Sequence, residues 1–265
     1  MSTAALVTGG SRGIGRAVAL RLARAGSRVV LTSRRDQDAA REVVRRIVAA
    51  GGEARAVRLE LEDAEALDRV VGEIRSMEGP LGVVVANAAA SAFKPARDLH
   101  AGNLQRSWAT NVRSFVLLAQ AAAARMPDGG RIVALSSYGA GHAFPRYAAL
   151  GADKAALESW VRHLAVEWGP DGITVNAVSG GVIDTDSSRA YYAATPDVPP
   201  IEHIADVVPL RRLGTVDEVA AAVSFLCSSD AAYITGQVLV VDGGLTVVAP
   251  PFPVGTGIPR TEEER

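Results

Sequence analysis

The sequence predicts an α/β fold in a single domain: a doubly wound, seven-stranded parallel sheet with helices on both faces. Two observations support this prediction. Short apolar runs, rich in β-branched residues, alternate along the 265 residues with longer segments of helical spacing. The strand patterns are apolar throughout, which indicates a sheet that is covered on both faces. Right-handed crossovers between such strands produce the doubly wound arrangement.

The individual elements follow from this alternation in chain order. Strand patterns occupy residues 4–8, 27–33, 53–61, 81–87, 130–136, 173–179 and 237–242. Helical patterns occupy residues 12–25, 37–50, 64–76, 104–125, 149–168 and 216–227. The domain is predicted to span residues 1–248, before a Pro/Gly-rich C-terminal tail at 249–265. The long irregular segment 185–211 contains four prolines and is predicted to be a substrate lid.

Composition excludes several classes of function. Apolar residues make up 48% of the chain, and the formal net charge is −1 without a basic patch, which disfavours nucleic acid as a partner. The one cysteine, Cys227, excludes an internal disulfide framework. The four histidines have no metal-ligand spacing, so we expect no metal. No apolar run is long enough to cross a bilayer, and we expect a cytoplasmic protein without membrane contact.

The first predicted strand runs into the glycine-rich turn TGGSRGIG, residues 8–15, and then into a helix. Glycines allow a close approach to a pyrophosphate, and the helix N-terminus offers unpaired N–H groups with the positive end of its dipole. This order predicts a dinucleotide-binding turn that contains Gly9, Ser11, Arg12, Gly13, Ile14 and Gly15. The turn also fits the G-x-S-x-G pattern of hydrolases. Only eight residues precede Gly9, however, too few for the sheet and oxyanion loop that a nucleophile elbow needs.

The end of the second predicted strand distinguishes between the two nicotinamide cofactors. A carboxylate there would accept hydrogen bonds from the adenosine ribose. The chain instead has Ser33 and Arg34 at this place, with Arg12 in the glycine turn. Arginine binds a 2′-phosphate through paired, charge-assisted hydrogen bonds. We therefore expect NADPH rather than NADH as the cofactor.

Lys154 is the first candidate for a catalytic residue. It lies in the apolar helix predicted at 149–168, and the chain has only one other lysine, Lys94. A lysine in such a helix is costly to bury unless it has a partner or a function. The alternative is a lysine at the helix edge that extends its ammonium into solvent.

Six short motifs occur in one order across roughly residues 4–248: TGGSRGIG, ANAA, TNV, SSY…Y…K, NAVSGGVIDTD and VDGG. As a set they resemble the short-chain dehydrogenase/reductase family, although each motif alone is weak evidence. The resemblance implies a Rossmann-type fold. It places six further residues at the cofactor: Glu60 and Leu61 near adenine, Asn87 and Ala88 beside the adenosine ribose, and Ile183 and Thr185 at the carboxamide and phosphates. It also implies three residues at the reaction centre: Asn111, Ser137 and Lys154, the last holding the nicotinamide ribose.

The tyrosine departs from the usual pattern of the family. The usual tyrosine lies four residues before the lysine, where this chain has Leu150, whose side chain cannot donate a proton. Tyr147 lies seven residues before Lys154, about two helical turns away and so roughly on the same face. This Tyr-x6-Lys spacing is similar to that of the enoyl-thioester reductase branch, which implies that Tyr147 is the catalytic phenol. Asp153 also departs from the family, because it stands where serine is usual.

The longer spacing has a chemical reason. Ketone reduction brings hydride to the carbon that bears the oxygen, whereas conjugate reduction brings it to Cβ and develops charge on the more distant thioester oxygen. The hydrogen-bond donor must then lie further from nicotinamide C4. We therefore expect NADPH-dependent reduction of the α,β double bond of an enoyl thioester of coenzyme A or acyl carrier protein, in fatty acid or polyketide biosynthesis. The resemblance favours a cyclic substrate such as 1-cyclohexenylcarbonyl-CoA, with Tyr191 and Tyr192 of the lid lining an acyl pocket.

Two other functions fit part of the pattern. A ketoreductase of the 3-oxoacyl-thioester or alcohol dehydrogenase type would need Tyr147 or Tyr138 to replace the missing phenol. A non-catalytic, dinucleotide-binding regulator is suggested by the loss of that phenol. The retained Asn111, Ser137 and Lys154 disfavour the regulator.

The helix predicted at 149–168 is apolar on more than one face. One face can cover the sheet, and the remaining apolar surface suggests burial against a second subunit. The resemblance implies a homotetramer built on this helix and on the one predicted at 104–125.

Overall fold

Seven parallel strands form a sheet in the order β3-β2-β1-β4-β5-β6-β7 in this computed structural model, which describes residues 3–196 and 198–248. Adjacent strands in this order pair in parallel. The strands are β1 Ala4–Val7, β2 Arg28–Ser33, β3 Ala54–Arg58, β4 Leu81–Ala86, β5 Gly130–Ser137, β6 Ile173–Gly180 and β7 Val238–Val241. The predicted fold is thus confirmed, and the predicted tail 249–265 lies outside the described residues.

Helices cover both faces of the sheet. Within the described ranges the α-helices are α1 Gly13–Arg24, α2 Gln37–Ala49, α3 Ala64–Glu78, α4 Ala101–Trp108, α5 Ser114–Ala123, α6 Ala148–Trp168, α7 Asp186–Ala193 and α8 Val216–Leu226. One apolar core lies between the sheet and α3, α5 and α6. A second lies between the opposite face and α1, α2 and α8. The molecule is therefore a three-layer α/β/α structure.

Local sequence explains why these elements form. All four residues of β1 are buried, as expected for a strand covered on both faces. In α2 the buried residues Ala40, Val43 and Ile47 recur at intervals of three and four, so the helix turns one stripe towards the sheet. Its start is fixed by Asp36, whose carboxylate accepts a hydrogen bond of 2.8 Å from the amide of Ala39.

The strand order brings the ends of several strands together. The order reverses between β1 and β4, so the connections that follow these two strands leave the sheet in opposite directions. In doubly wound sheets this reversal opens a crevice at the carboxyl ends of the strands. The loops after β1, β4, β5 and β6 lie around that crevice and supply the candidate site.

Two predicted segments differ from the structure. The helix predicted at 104–125 is divided by a π-helical turn, Ala109–Arg113, which joins α4 to α5. The segment 185–211, predicted to be irregular, begins with α7 and contains a 3₁₀ helix, Ile201–Val207. A capping box explains α7, because the Thr185 hydroxyl accepts from the Ser188 amide and the Ser188 hydroxyl accepts from the Thr185 amide. Whether this segment acts as a lid stays a prediction.

The described helices were also compared with the length and apolarity of a transmembrane span. None of them is both long and apolar enough to cross a bilayer.

Val43→Ala should destabilise the protein, because this side chain is 1% exposed and belongs to the core beneath α2. Loss of two buried carbons should lower the free energy of unfolding by about 2 kcal/mol. Val48→Ala is the matched control in the same helix, since Val48 is 56% exposed and the gain in helix propensity is the same. Urea unfolding at one protein concentration measures the difference. Equal unfolding midpoints for the two variants would contradict this packing.

Candidate active site

A cavity of about 640 Å³ lies at the carboxyl ends of the central strands. Sixteen of the predicted site residues line it: Gly9, Ser11, Arg12, Gly13, Ile14, Ser33, Arg34, Glu60, Leu61, Asn87, Ala88, Ser137, Tyr147, Lys154, Ile183 and Thr185. Two predicted residues do not line it: Gly15, which lies inside the first turn of α1, and Asn111, which lies in the π-helical turn. The fold therefore brings together residues that are spread over most of the chain.

The glycine turn packs tightly against the loop after β4. A Cβ atom on Gly15 would lie 2.3 Å from the carbonyl oxygen of Gly9 and 2.5 Å from Nδ2 of Asn87, so only glycine fits there. The Asn87 amide donates hydrogen bonds to the carbonyl oxygens of Thr8 and Gly9, at 3.0 and 3.1 Å. The Asn87 side chain, predicted beside the adenosine ribose, thus also holds the shape of the turn.

Arginine and serine lie where the second strand ends. Arg34 forms an ion pair with Glu60 at 3.0 Å, and its side chain is 38% exposed. Ser33 donates to the carbonyl of Asp36 at 3.1 Å and accepts from Gln37 Nε2 at 2.8 Å, which fixes the turn into α2. Because an exposed ion pair contributes little free energy, the Arg34 guanidinium can exchange Glu60 for another anion at low cost.

Tyr147 is the residue directly before α6 rather than a residue within it. Tyr147 has the non-helical angles φ −106° and ψ 1°, but its carbonyl accepts a hydrogen bond of 2.8 Å from the Gly151 amide, so the helical turns towards Lys154 begin at this residue. The preceding Arg146 has a left-handed backbone with φ 60°, which ends regular structure at this point. Tyr147 nevertheless lines the cavity, and its hydroxyl donates a hydrogen bond of 3.1 Å to Ser137 Oγ. Burial raises the pKa of Tyr147, and the bond to Ser137 opposes that shift.

Lys154 is buried at the base of the cavity, with 5% of its surface exposed. Its ammonium donates a hydrogen bond of 2.5 Å to the carbonyl oxygen of Leu135 on β5. Burial lowers the pKa of Lys154 to about 8, while the carboxylates of Asp153 and Glu158 act in the opposite direction. The alternative of a lysine that reaches solvent from the helix edge is therefore wrong.

Asn111 faces a second, small cavity of about 10 Å³, which Lys154 also lines. This volume is close to the lower limit for one water molecule. The Asn111 side chain exchanges hydrogen bonds with the backbone of Ala90, accepting at 3.0 Å and donating at 2.8 Å. It also donates to Asp153 Oδ2 at 2.9 Å. The Asn111 side chain thus joins the loop after β4 to α6, and it does not line the main cavity.

A group of aromatic rings, here called the aromatic wall, closes one side of the cavity. Its members are Phe93, Tyr138, Phe144, Tyr147, Tyr191 and Tyr192. Ring centroids lie 4.2 Å apart for Phe144 and Tyr147 and 5.6 Å apart for Tyr147 and Tyr191. The sequence analysis missed Phe93 and Phe144. The signal available for them was scarcity, because the chain has only five phenylalanines and five tyrosines.

The described residues contain no group of three or more histidine, cysteine, aspartate or glutamate side chains that could hold a metal ion. The main cavity is lined by hydroxyl, ammonium, guanidinium, amide and carboxylate side chains, the last from Asp36, Glu60, Glu62 and Asp186.

The chain is similar to several known reductases and dehydrogenases. A family model described as Enoyl-(Acyl carrier protein) reductase matches residues 9–246. A 1-cyclohexenylcarbonyl-CoA reductase of Streptomyces collinus is 51% identical over 247 residues, which cover 93% of this chain and 88% of that protein. Versicolorin reductase 1 of Aspergillus parasiticus is 36% identical over 91% of this chain and 95% of its own. A solved short chain dehydrogenase from Burkholderia cenocepacia in complex with NADP has a TM-score of 0.86 at 35% identity, covering 92% of this chain and 98% of that one.

The lowered pKa of Lys154, about 8, is directly measurable because the chain contains only two lysines. In protein labelled with ¹³C at lysine Cε, the Lys154 resonance should titrate with a midpoint near pH 8. The variant Lys94→Arg removes the other lysine signal and so assigns the resonance. A midpoint at about 10.4, the value of a solvated lysine, would show that the ammonium is not desolvated.

Proposed function

The chain belongs to the short-chain dehydrogenase/reductase family, as its motifs predicted, and from this premise we propose that it uses NADPH to reduce the α,β double bond of an enoyl-CoA thioester. The observation that carries the proposal is the place of the phenol. Tyr147 faces the cavity from the start of α6, while the aliphatic Leu150 occupies the position of the usual tyrosine. The 51% identity with a 1-cyclohexenylcarbonyl-CoA reductase supports the same class of reaction.

The glycine turn fits a bound dinucleotide. Gly9 and Gly13 have left-handed backbones, with φ 65° and 53°, which let the turn bring its amides to the cavity. A Cβ atom on Gly13 would approach Thr185 Cγ2 only to 4.0 Å, so the backbone here borders open space that a pyrophosphate can occupy. The N-terminus of α1 adds unpaired N–H groups and a positive dipole.

The residues after β2 favour NADPH over NADH. Ser33, Arg34 and Arg12 line the cavity at its adenosine end. A 2′-phosphate would offer Arg34 two parallel charge-assisted hydrogen bonds in place of its exposed ion pairs with Glu60 at 3.0 Å and Glu62 at 3.8 Å.

The reaction chemistry is divided between the cofactor and four residues of the chain. NADPH supplies the hydride when it is bound. Tyr147 donates its hydroxyl proton in a hydrogen bond to the thioester carbonyl and stabilises the negative charge that develops on that oxygen. Ser137 accepts the Tyr147 proton at 3.1 Å in the structure, and its hydroxyl can turn to donate to the phenol oxygen once Tyr147 donates to the substrate. Lys154 binds the ribose hydroxyls, and its charge favours the developing negative charge. Asn111 fixes the loop after β4 through Ala90.

The aromatic wall supports a compact acyl group as the substrate. Tyr191 brings α7, the first part of the predicted lid 185–211, against the loop after β5, because its hydroxyl donates to the carbonyl of Pro145 at 2.8 Å. Arg146 reinforces this contact by donating to the carbonyl of Ala194 at 2.9 Å. Six rings packed along one side of the cavity offer apolar contact area to the acyl group, and we infer that a cyclic or short acyl chain fits there better than a long one. A cyclic enoyl-CoA, in fatty acid or polyketide biosynthesis, is therefore our preferred substrate.

A ketoreductase is the second candidate, because a versicolorin reductase also covers most of the chain at 36% identity. It would need Tyr138 or Tyr147 to act on a ketone. Burial raises the pKa of Tyr138 strongly, and the neighbouring Tyr192 raises it further. Burial raises the pKa of Tyr147 as well, so the phenol pKa values do not separate the two reactions. The aliphatic Leu150 at the position of the usual tyrosine is the observation that disfavours a ketoreductase.

Exposed apolar side chains support the proposal of a homotetramer. On α4, Leu104 and Trp108 are 49% and 48% exposed, and on α6, Trp160 and Val166 are 37% and 79% exposed. Burial of these residues between subunits would remove apolar surface from water. A monomeric mass by analytical ultracentrifugation would contradict this assembly.

The lone cysteine fits the reducing cytoplasm, where we place the protein.

A substrate panel with NADPH tests the proposed function. We expect NADPH oxidation with crotonyl-CoA and 1-cyclohexenylcarbonyl-CoA, slower oxidation with a long linear trans-2-enoyl-CoA, and none with acetoacetyl-CoA. Turnover of acetoacetyl-CoA alone would identify a ketoreductase. NADPH binding without turnover of any thioester would identify the non-catalytic regulator.

Tyr147→Phe should reduce kcat on the best enoyl-CoA by about a hundredfold or more, because it removes one donor to the developing oxyanion. NADPH affinity, measured by fluorescence, should change little. Tyr233→Phe is the matched control, since this tyrosine is fully exposed. Full activity of the Tyr147→Phe protein would end the assignment of this phenol.

A further inference from the structure

Three buried polar side chains form a cluster beside Lys154, here called the Asp153 cluster. Its members are Ser107 on α4, Asn111 in the π-helical turn and Asp153 on α6, and they are 5%, 3% and 6% exposed. Ser107 Oγ donates to Asp153 Oδ2 at 2.5 Å, and Asn111 Nδ2 donates to the same oxygen at 2.9 Å. Both partners are donors, so Asp153 acts as a pure acceptor, which is the role of a carboxylate.

A carboxylate in this place is costly, which suggests that it has a function. Burial of a charge is unfavourable unless hydrogen bonds or an opposite charge compensate for it. A serine, the residue that the family resemblance places here, would offer a hydrogen-bonding hydroxyl without the cost of desolvating a charge. The negative charge is therefore the property to explain.

Lys154, the next residue of α6, carries the opposite charge, and it lines the small cavity together with Asn111, which bonds Asp153. Two carboxylates, those of Asp153 and Glu158, stabilise the Lys154 ammonium against burial. Glu158 accepts a hydrogen bond of 2.5 Å from Ser136 on β5. The phenol of Tyr147 is among the titratable groups that line the main cavity with Lys154. The small cavity beside Lys154 is lined by Leu118 and Leu157 and by the neutral polar side chains of Thr8, Asn111 and Ser114, so no carboxylate lines it.

We propose that Asp153 is a positioning residue of the reductase: its carboxylate fixes the Asn111 side chain and keeps the charge on Lys154 where the cofactor ribose binds. The proposal rests on the proposed function and deepens it. Through Asn111 the carboxylate also reaches Ala90, whose N–H and carbonyl both bond the Asn111 amide. The loop after β4 that contains Ala90 also provides Ala88 at the cofactor end of the cavity and Phe93 in the aromatic wall.

Asp153→Asn tests the charge without loss of shape, because the amide oxygen can still accept from Ser107 and Asn111. In cofactor-free protein labelled at lysine Cε, we expect the titration midpoint of Lys154 to fall by about one pH unit. Loss of a nearby negative charge makes the ammonium less stable relative to the neutral amine, so the pKa of Lys154 should fall. Glu167→Gln is the matched control, since it removes one carboxylate from an exposed site on the same helix, roughly 21 Å further along.

The kinetic counterpart uses the best enoyl-CoA. In Asp153→Asn the decline of kcat/KM on the alkaline side should begin at a pH about one unit lower than in the unsubstituted protein. If the asparagine variant does not fold, Asp153→Ser gives the same readout with the residue that is usual in the family. An unchanged Lys154 midpoint in a folded variant, or an equal shift in Glu167→Gln, would overturn the proposal. Absence of thioester turnover by the unsubstituted protein would overturn the proposed function, and the Lys154 midpoint would still decide the role of Asp153.

Discussion

Burial of one ammonium group at the carboxyl end of a parallel sheet is the constraint on which the rest of the site depends. Lys154 is 5% exposed, and a charge removed from water to this degree is unfavourable without compensation. The backbone carbonyl of Leu135 and the carboxylates of Asp153 and Glu158 supply that compensation from the chain itself. In the proposed function, the ribose hydroxyls of NADPH complete it. Residues that are far apart in sequence thus serve one electrostatic purpose.

The fold meets this constraint through the contact between β5 and α6. Three consecutive residues at the end of β5 bond α6 or the residue before it: Leu135 bonds Lys154, Ser136 bonds Glu158 at the middle of the helix, and Ser137 bonds Tyr147. These bonds fix the rotation of the helix relative to the strand, and with it the relation between the phenol and the ammonium. Because β5 is a central strand, paired on both sides, the frame that carries the site is rigid.

The sequence predicts those parts of the structure that depend on local patterns. The sheet, its helices and the glycine turn follow from apolar periodicity and from the order of strand, turn and helix. The predicted helix 149–168 leaves Tyr147 outside α6, but the left-handed backbone of Arg146 directly before Tyr147 does not follow from the spacing to the lysine. The π-helical turn at Asn111 leaves the apolar pattern intact and so escapes a periodicity argument. Phe93 and Phe144 come from separate loops and meet only in three dimensions.

Two departures from the family pattern are best understood together. Leu150 and Asp153 lie three residues apart on α6 and so on neighbouring parts of one face. Leu150 and Lys154 line the same cavity. An aliphatic side chain at position 150 offers no hydrogen bond, whereas the usual tyrosine would offer a hydroxyl. The free-energy cost of burying the Lys154 ammonium is therefore higher. Asp153 adds a negative charge on the same helix and reduces that cost. In the proposed reductase the phenol of Tyr147 lies at the cap of α6. The buried ammonium of Lys154 then needs another polar group nearby to stabilise its charge. Here that group is the carboxylate which also holds Asn111.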